Sequence, residues 1–350
     1  MLAAVVNTSA GSRNAQRKNA KSANSLTNPR YIRPVLPPLT DGKEKIGDNQ
    51  TRAACVQDYF PCSCYWQFVW PDNYFDGILC ENVSVKTVRD VFQRFNNTEI
   101  YSLDFRFPIA DATNTISLPA DFLGNTSVTN SLYIIGLYHN FSNLIIDPLA
   151  FRSSQNSLAQ FVVAEFDFGL QKDFSFLNGF NKLETLNIAS SNNFTAFQYL
   201  PPLPSLQILK IESCPDFNQI PFPILSPAKL KTLHLYNSEI SDEKIDEIVA
   251  KLVDSNSADS LETFYLYSNS LTRIPSQVGS AFPKLQFFVL AINNISHIPS
   301  ASLTFASPYL EELYLNRNQI KTIESGAFRG KSTGCSSMQT FLLWSKKQNT

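Results

Sequence analysis

The chain has 350 residues, of which 43% are hydrophobic, enough for a sizeable core, and only 17% are charged. That charged fraction lies below the ~25% usual for soluble domains and leans toward an extracellular surface. Twenty-nine basic against thirty acidic residues give a net charge of −1, without the clustered cations that a nucleic-acid binder needs to displace counterions. No run of ~18 apolar residues occurs, so no membrane-spanning helix is expected.

Residues 1–50 carry eight basic side chains (Arg13, Arg17, Lys18, Lys21, Arg30, Arg33, Lys43, Lys45) against three acidic ones (Asp41, Glu44, Asp48). This segment is therefore about +5 and the remainder about −6. It holds few large apolar side chains, cannot offset its ordering entropy, and is expected to be disordered. A secretory signal needs seven or more apolar residues after a basic start. Only Leu2 to Val6 approach this, so either the signal is missing or the natural start lies elsewhere.

The six cysteines are unevenly placed: Cys55, Cys62, Cys64 and Cys80 cluster, while Cys214 and Cys335 stand alone. A local stapled element over 51–98 fits this arrangement better than a disulfide scaffold along the whole chain. A zinc site is the alternative, although one residue between Cys62 and Cys64 departs from C-x2–4-C spacing and no histidine lies nearby. Ser84 can cap a short helix whose Val85, Val88, Phe92 and Phe95 would seal whatever follows.

Over 99–330 the chain repeats itself. Leu261, Phe264, Leu266, Asn269 and Leu271 recur as Leu285, Phe288, Leu290, Asn293 and Ile295, then as Leu310, Leu313, Leu315, Asn318 and Ile320. Weaker copies begin at Ile100, Leu132, Leu158, Leu183, Leu206 and Leu230, for about nine in all. From Leu132 onward, successive starts are separated by 26, 25, 23, 24, 31, 24 and 25 residues. In a strand, alternate side chains face opposite ways, so Leu313 and Leu315 point inward and Tyr314 outward. One copy's six or so buried side chains, at about 1.5–3 kcal/mol each, cannot offset the ordering of its residues at about 1–2 kcal/mol each. Copies must therefore stack.

The polar slot after each strand holds Asn140, Asn269, Asn293 and Asn318, with Cys214 in the copy beginning at Leu206. A buried amide there can satisfy backbone groups left unpaired as the chain leaves the sheet. One copy is longer, and Ser241 to Ser255 within it reads as a helix. Asp242 and Glu243 stand in its first turn, and Ile245, Ile248, Val249 and Leu252 form an apolar stripe. Residues 331–350 match no copy and read as an irregular tail, either a truncation or a divergent end, with Cys335 a leftover cap cysteine or an unpaired thiol.

This array resembles the leucine-rich-repeat family. The resemblance implies an α/β fold, a curved solenoid with a parallel sheet on its concave face and a cysteine-rich amino-terminal cap. It further implies disulfides Cys55–Cys64 and Cys62–Cys80, and it gives Cys214 the role of an inert substitute for asparagine. Within the family, Pro61-Cys62-Ser63-Cys64, Val88-Arg-Asp-Val-Phe92 and Ile100-Tyr-Ser-Leu103 are similar to secreted arthropod proteins that include the non-catalytic subunit of shrimp luciferin 2-monooxygenase. That likeness implies a companion subunit without chemistry of its own.

Disulfides imply an oxidising compartment, and Asn-x-Ser/Thr sequons add only weak support, eight against about five expected for so Asn- and Ser-rich a chain. Asn82, Asn96, Asn125 and Asn294 are the candidate glycosylation sites; Asn7, Asn49, Asn140 and Asn193 also match the motif. Three histidines, His139, His234 and His297, stand beside no recognisable nucleophile or metal-ligand partner. No phosphate loop or hydrolase motif occurs, so no cofactor, metal or catalytic residue is expected.

The template places Tyr138, His234, Tyr236, Tyr265, Tyr267, Phe287 and Tyr314 on the concave face. Exposed aromatics in adjacent copies suit a protein partner. The expectation is a secreted, non-catalytic leucine-rich-repeat protein-binding module with no nucleic-acid partner. The ectodomain of a truncated adhesion or pattern-recognition receptor is the alternative.

Overall fold

The computed structural model describes residues 61–69, 73–95, 97–108, 115–137, 141–223, 225 and 230–330. The expected disorder of residues 1–50, the tail after 330, and Cys55, Asn96, Tyr138, Asn140 and Cys335 lie outside the described residues.

The fold is α/β, built on one large, mostly parallel sheet of 11 strands. In chain order these are β1 (Ser63–Val69), β2 (Asn73–Glu81), β3 (Glu99–Phe107), β4 (Ser127–Gly136), β5 (Gln160–Ala164), β6 (Thr185–Ala189), β7 (Ile208–Glu212), β8 (Thr232–Tyr236), β9 (Thr263–Tyr265), β10 (Phe287–Val289) and β11 (Glu312–Tyr314). Sequence order and spatial order coincide. Only the β1–β2 pair is antiparallel; every later pairing in this sheet is parallel. Parallel neighbours require a crossover, and the residues between strands supply it as short helices, turns and small parallel ladders.

The register is close to invariant. Leu103, Leu132, Phe161, Leu186, Leu209, Leu233, Phe264, Phe288 and Leu313 face their neighbours in one row. All of them are buried. A second buried row starts two residues later and includes Phe105, Ile134, Val163, Ile188, Ile211, Leu235, Leu266, Leu290 and Leu315. The alternation is that of a strand with one face on the core.

This register corrects the copy read as beginning at Leu132. Leu132 and Ile134 are its inward pair, so Leu132 is the second leucine of the copy rather than the first. Because a strand's side chains alternate, the shift puts Tyr133 on the outer face and ends the strand at Gly136, before Tyr138.

Behind the sheet runs a row of phenylalanines that the repeat template did not anticipate. Phe92 meets Phe105 at 6.0 Å between ring centroids, Phe105 meets Phe122 at 5.3 Å, and Phe122 meets Phe151 at 6.2 Å. The contacts continue through Phe161, Phe176, Phe174 and Phe197 to Phe217. Several of these pairs are edge-to-face, worth about 0.5–1.5 kcal/mol each beyond their buried area. This row takes up nine of the chain's 27 phenylalanines.

The cap's second strand belongs to the same sheet: β2 pairs in parallel with β3. Cys62 and Cys80 form a disulfide across 18 residues, a closure worth about 3 kcal/mol, and these two sulfurs are thereby removed as zinc ligands. Cys64 is disulfide-bonded as well; its expected partner, Cys55, is not among the described residues. Tyr65 of β1 lies over Gly77 of β2, where an added methyl would approach its ring to 2.3 Å. Between β2 and β3, helix α1 (Val85–Phe92) is capped by Ser84 as expected, its hydroxyl accepting from the Thr87 amide at 3.2 Å. Val88 and Phe92 are buried, while Val85 and Phe95 pack half-buried against them.

Helix α2 (Asp242–Asp254) matches the expectation, with Ser241 as N-cap and Ile245, Ile248, Val249 and Leu252 buried. Lys244 is buried too. Its ammonium donates to the Ile220 carbonyl and stands 3.0 Å from Glu247, which offsets the desolvation that lowers its pKa. Asp242 and Asp246 accept hydrogen bonds from Thr272 and Ser276 of the next copy, and Arg273 pairs with Asp246.

The polar slot works as the sequence suggested. The Asn293 amide donates to the Leu266 carbonyl at 2.8 Å, and its oxygen accepts from the Leu271 amide at 3.1 Å. Asn318 does the same one copy on, with Leu290 O at 2.8 Å and Ile295 N at 3.0 Å, and Asn269 reaches Leu235 O, Ser238 N and Ile240 N. Ser191 and Ser238, which the asparagine template overlooks, occupy the slot in their copies with hydroxyls. Cys214 fills it with a thiol 3.8 Å from the Ile188 carbonyl, and burial pushes its pKa up to about 12.

Asn293→Ala strands two buried backbone groups and is expected to cost about 2–4 kcal/mol in denaturant unfolding. Cys214→Ser, matching the occupant of neighbouring slots, is expected to cost less than about 1 kcal/mol. The reverse order would contradict the role given to the slot.

Candidate functional site

The sheet's outer face, opposite the two buried rows, carries one residue of each strand in three aligned columns. In the middle column Lys210, His234, Tyr265, Val289 and Tyr314 stand side by side across β7 to β11. Glu212 and Tyr236 are aligned in the next column, which Tyr267 continues in the following copy. Phe287 stands in the first column, between Thr263 and Glu312.

Four of the expected aromatics meet. The His234 and Tyr265 rings lie 5.0 Å apart, Tyr236 and Tyr267 stack at 5.2 Å, and His234 approaches Tyr236 at 6.2 Å. All four are half-buried. Phe287 and Tyr314 share the outer face but make no ring contact with this group among the described residues. Between Tyr265 and Tyr314 lies Val289, and the Tyr314 hydroxyl donates to Glu312.

A carboxylate sits within the patch. Glu212 Oε1 is 3.2 Å from His234 Nδ1, an approach that alone would favour a protonated imidazole. Burial outweighs it, and with Lys210 it holds the His234 pKa down to about 4. At neutral pH the imidazole is thus neutral, and burial raises the pKa of the Glu212 carboxyl beside it.

A second outer-face cluster, at the cap end, escaped the sequence reading. The Tyr65 hydroxyl is 2.9 Å from Ser102 Oγ, and Arg106 pairs with Asp104 at 2.8 Å and lies 3.7 Å from Glu81. Asp104 is largely buried and its Oδ1 has no hydrogen-bond partner; burial raises its pKa despite Arg106. Asp104 and Arg106 hold the same columns as His234 and Tyr236, and Tyr133 neighbours Asp104. Strand alternation from Leu103 and Phe105 places the first two outward, but neither is aromatic and a charged outward pair carries no distinctive signal in the sequence.

Of the remaining expected residues, Asn82, Asn125 and Asn294 are exposed, as glycan acceptors must be. Asn269, Asn293 and Asn318 are slot residues rather than members of this face, Asn293 and Asn318 buried and Asn269 half-buried. His297 is elsewhere, close to Thr322 and Glu324. Among the described residues no group of three His, Cys, Asp or Glu side chains could hold a metal ion, and no described helix is long and apolar enough to cross a membrane.

The molecule is therefore an α/β protein with a disulfide near its amino-terminal end and a half-buried aromatic and carboxylate patch on a mostly parallel sheet. In sequence comparisons, no protein family and no curated protein matches the chain.

His234 gives the patch a signature in acid. Its folded pKa of about 4 lies below the ordinary value of about 6.5, so the unfolded chain binds the proton more readily between those values. Stability from this group is complete above pH ~6.5 and falls as pH drops toward ~4, by up to about 3 kcal/mol. Glu212, with its raised pKa, contributes with the opposite sign. Urea unfolding of the protein and of His234→Gln should therefore diverge between those pH values, with the variant less acid-sensitive. Parallel profiles would contradict the burial of a neutral imidazole.

Proposed function

We propose that the chain is a secreted, non-catalytic leucine-rich-repeat protein, a curved solenoid that binds a protein partner through its outer sheet face. The observation that carries the reading is the set of four rings, His234, Tyr236, Tyr265 and Tyr267, contributed by adjacent copies and in contact with one another. Tyrosine supplies large contact area with little rotamer entropy to lose, and stacked neighbours lose less still. The near-constant register of ten parallel strands supports the solenoid, since the copies repeat one inward pair and, from Ser191 onward, one slot. The disulfide supports an oxidising compartment, and exposed sequons agree with secretion.

A companion role, stabilising or positioning another polypeptide, fits a patch that offers contact area without paired catalytic groups. Its partner is expected to place an apolar or aromatic anchor against Tyr265 and Tyr267 and a donor against Glu212. Affinity capture from the extracellular fluid of the producing cells tests this. The Tyr265→Ala, Tyr267→Ala double variant should retain its melting temperature and lose roughly 10-fold or more in recovery of the co-eluting protein. Equal recovery by the protein and the variant would refute the reading.

A further inference from the structure

The residue that precedes the slot repeats an unusual backbone. Asn237, Ser268, Ile292 and Arg317 all have φ between 49° and 58°, the left-handed region that β-branched side chains avoid. Ile292 is the costly member of the series. Strain of this kind persists where the surroundings over-determine it, often beside a ligand site.

These same residues line an open cavity of about 400 Å³, within the range of small-molecule sites. Its walls are amides, hydroxyls, one carboxylate and one guanidinium, and Ile292 is its apolar patch. Glu239 and Arg317 are exposed and form no ion pair among the described residues, so both remain available to a ligand. An anion would meet Glu239, a cation would meet Arg317, and an apolar molecule would find little besides Ile292. A neutral ligand rich in hydroxyls, with a ring face of C–H groups, satisfies all three. The residues preceding Asn237 and Ser268 are the stacked Tyr236 and Tyr267, which extend the same chemistry.

We propose that this cavity binds a neutral saccharide, with Ile292 against the C–H face of a sugar ring and Glu239 and Arg317 on its hydroxyls. Two sources can supply it. One is a separate carbohydrate or a partner's glycan. The other is a glycan on Asn294, which lines the cavity, begins an Asn-Ile-Ser sequon and is exposed, its Oδ1 accepting from Gln319 at 3.1 Å.

The test uses the full chain carrying Ser296→Ala, which cannot take a glycan at Asn294. Cellobiose and N,N′-diacetylchitobiose are titrated in, with saturation-transfer NMR as the readout. At least one disaccharide should bind, and Glu239→Ala or Arg317→Ala added to that chain should weaken it roughly 10-fold at unchanged melting temperature. Absence of transfer from both sugars, or equal binding by both variants, would overturn the proposal. The chain with its sequon intact then separates the sources: lost transfer identifies the Asn294 glycan as the occupant, and retained transfer identifies a separate saccharide. The sheet-face tyrosines are unaltered throughout, so this site and the protein-binding patch fail independently.

Discussion

Each time the chain leaves the sheet, it carries backbone amides and carbonyls into an apolar interior, and something must pair them. That requirement governs the molecule. The slot side chain answers it by reaching back one copy, as Asn318 does to Leu290 and Ile295, and Asn293 to Leu266 and Leu271. A buried unpaired group costs about 1–3 kcal/mol, so from Ser191 onward the slot couples each copy to its neighbour in polar terms. The two inward rows couple them in apolar terms. Neither link exists within a single copy, so the sheet is built by stacking.

Stacking also creates the candidate site. Because neighbouring strands keep register, side chains far apart in sequence become lateral neighbours on the outer face, as His234 and Tyr265 do at 5.0 Å. The scaffold holds the rings in place, and under the proposed binding role that preorganisation lowers the entropy lost when a partner docks. The same registration lines up the left-handed residues beyond the strands and forms the polar cavity. Patch and cavity thus follow from one periodicity, one at the strands and the other at their ends.

Much of this was legible in the sequence where the chain states it in large apolar side chains and asparagines. The copies at Leu261, Leu285 and Leu310, both capped helices and six of the outer-face aromatics were all readable. Reading failed where chemistry is preserved and residue identity is not. Ser191 and Ser238 fill the slot with hydroxyls, which a template written for asparagine passes over. In the Leu132 copy, Leu132, Ile135 and Leu137 fit the template as well as the true inward pair does, and a misplaced start displaced the outward residue from Tyr133 to Tyr138. The phenylalanine row was hidden because, apart from Phe105 and Phe161 on the strands, its members lie between strands in segments of varied length, where no fixed spacing marks them. Asp104 and Arg106 were missed for a different reason: a charged pair in an outward column reads as ordinary solvated surface until the burial of Asp104 is seen.

The central claim is that slot side chains protect the backbone where each copy turns, and amide hydrogen exchange measures this most directly. The amides of Ile240, Leu271 and Ile295, which lie outside the strands of the sheet, should exchange as slowly as those of β8 and β9. Exchange at the rate of exposed loops for these three, with the strands still protected, would contradict the account.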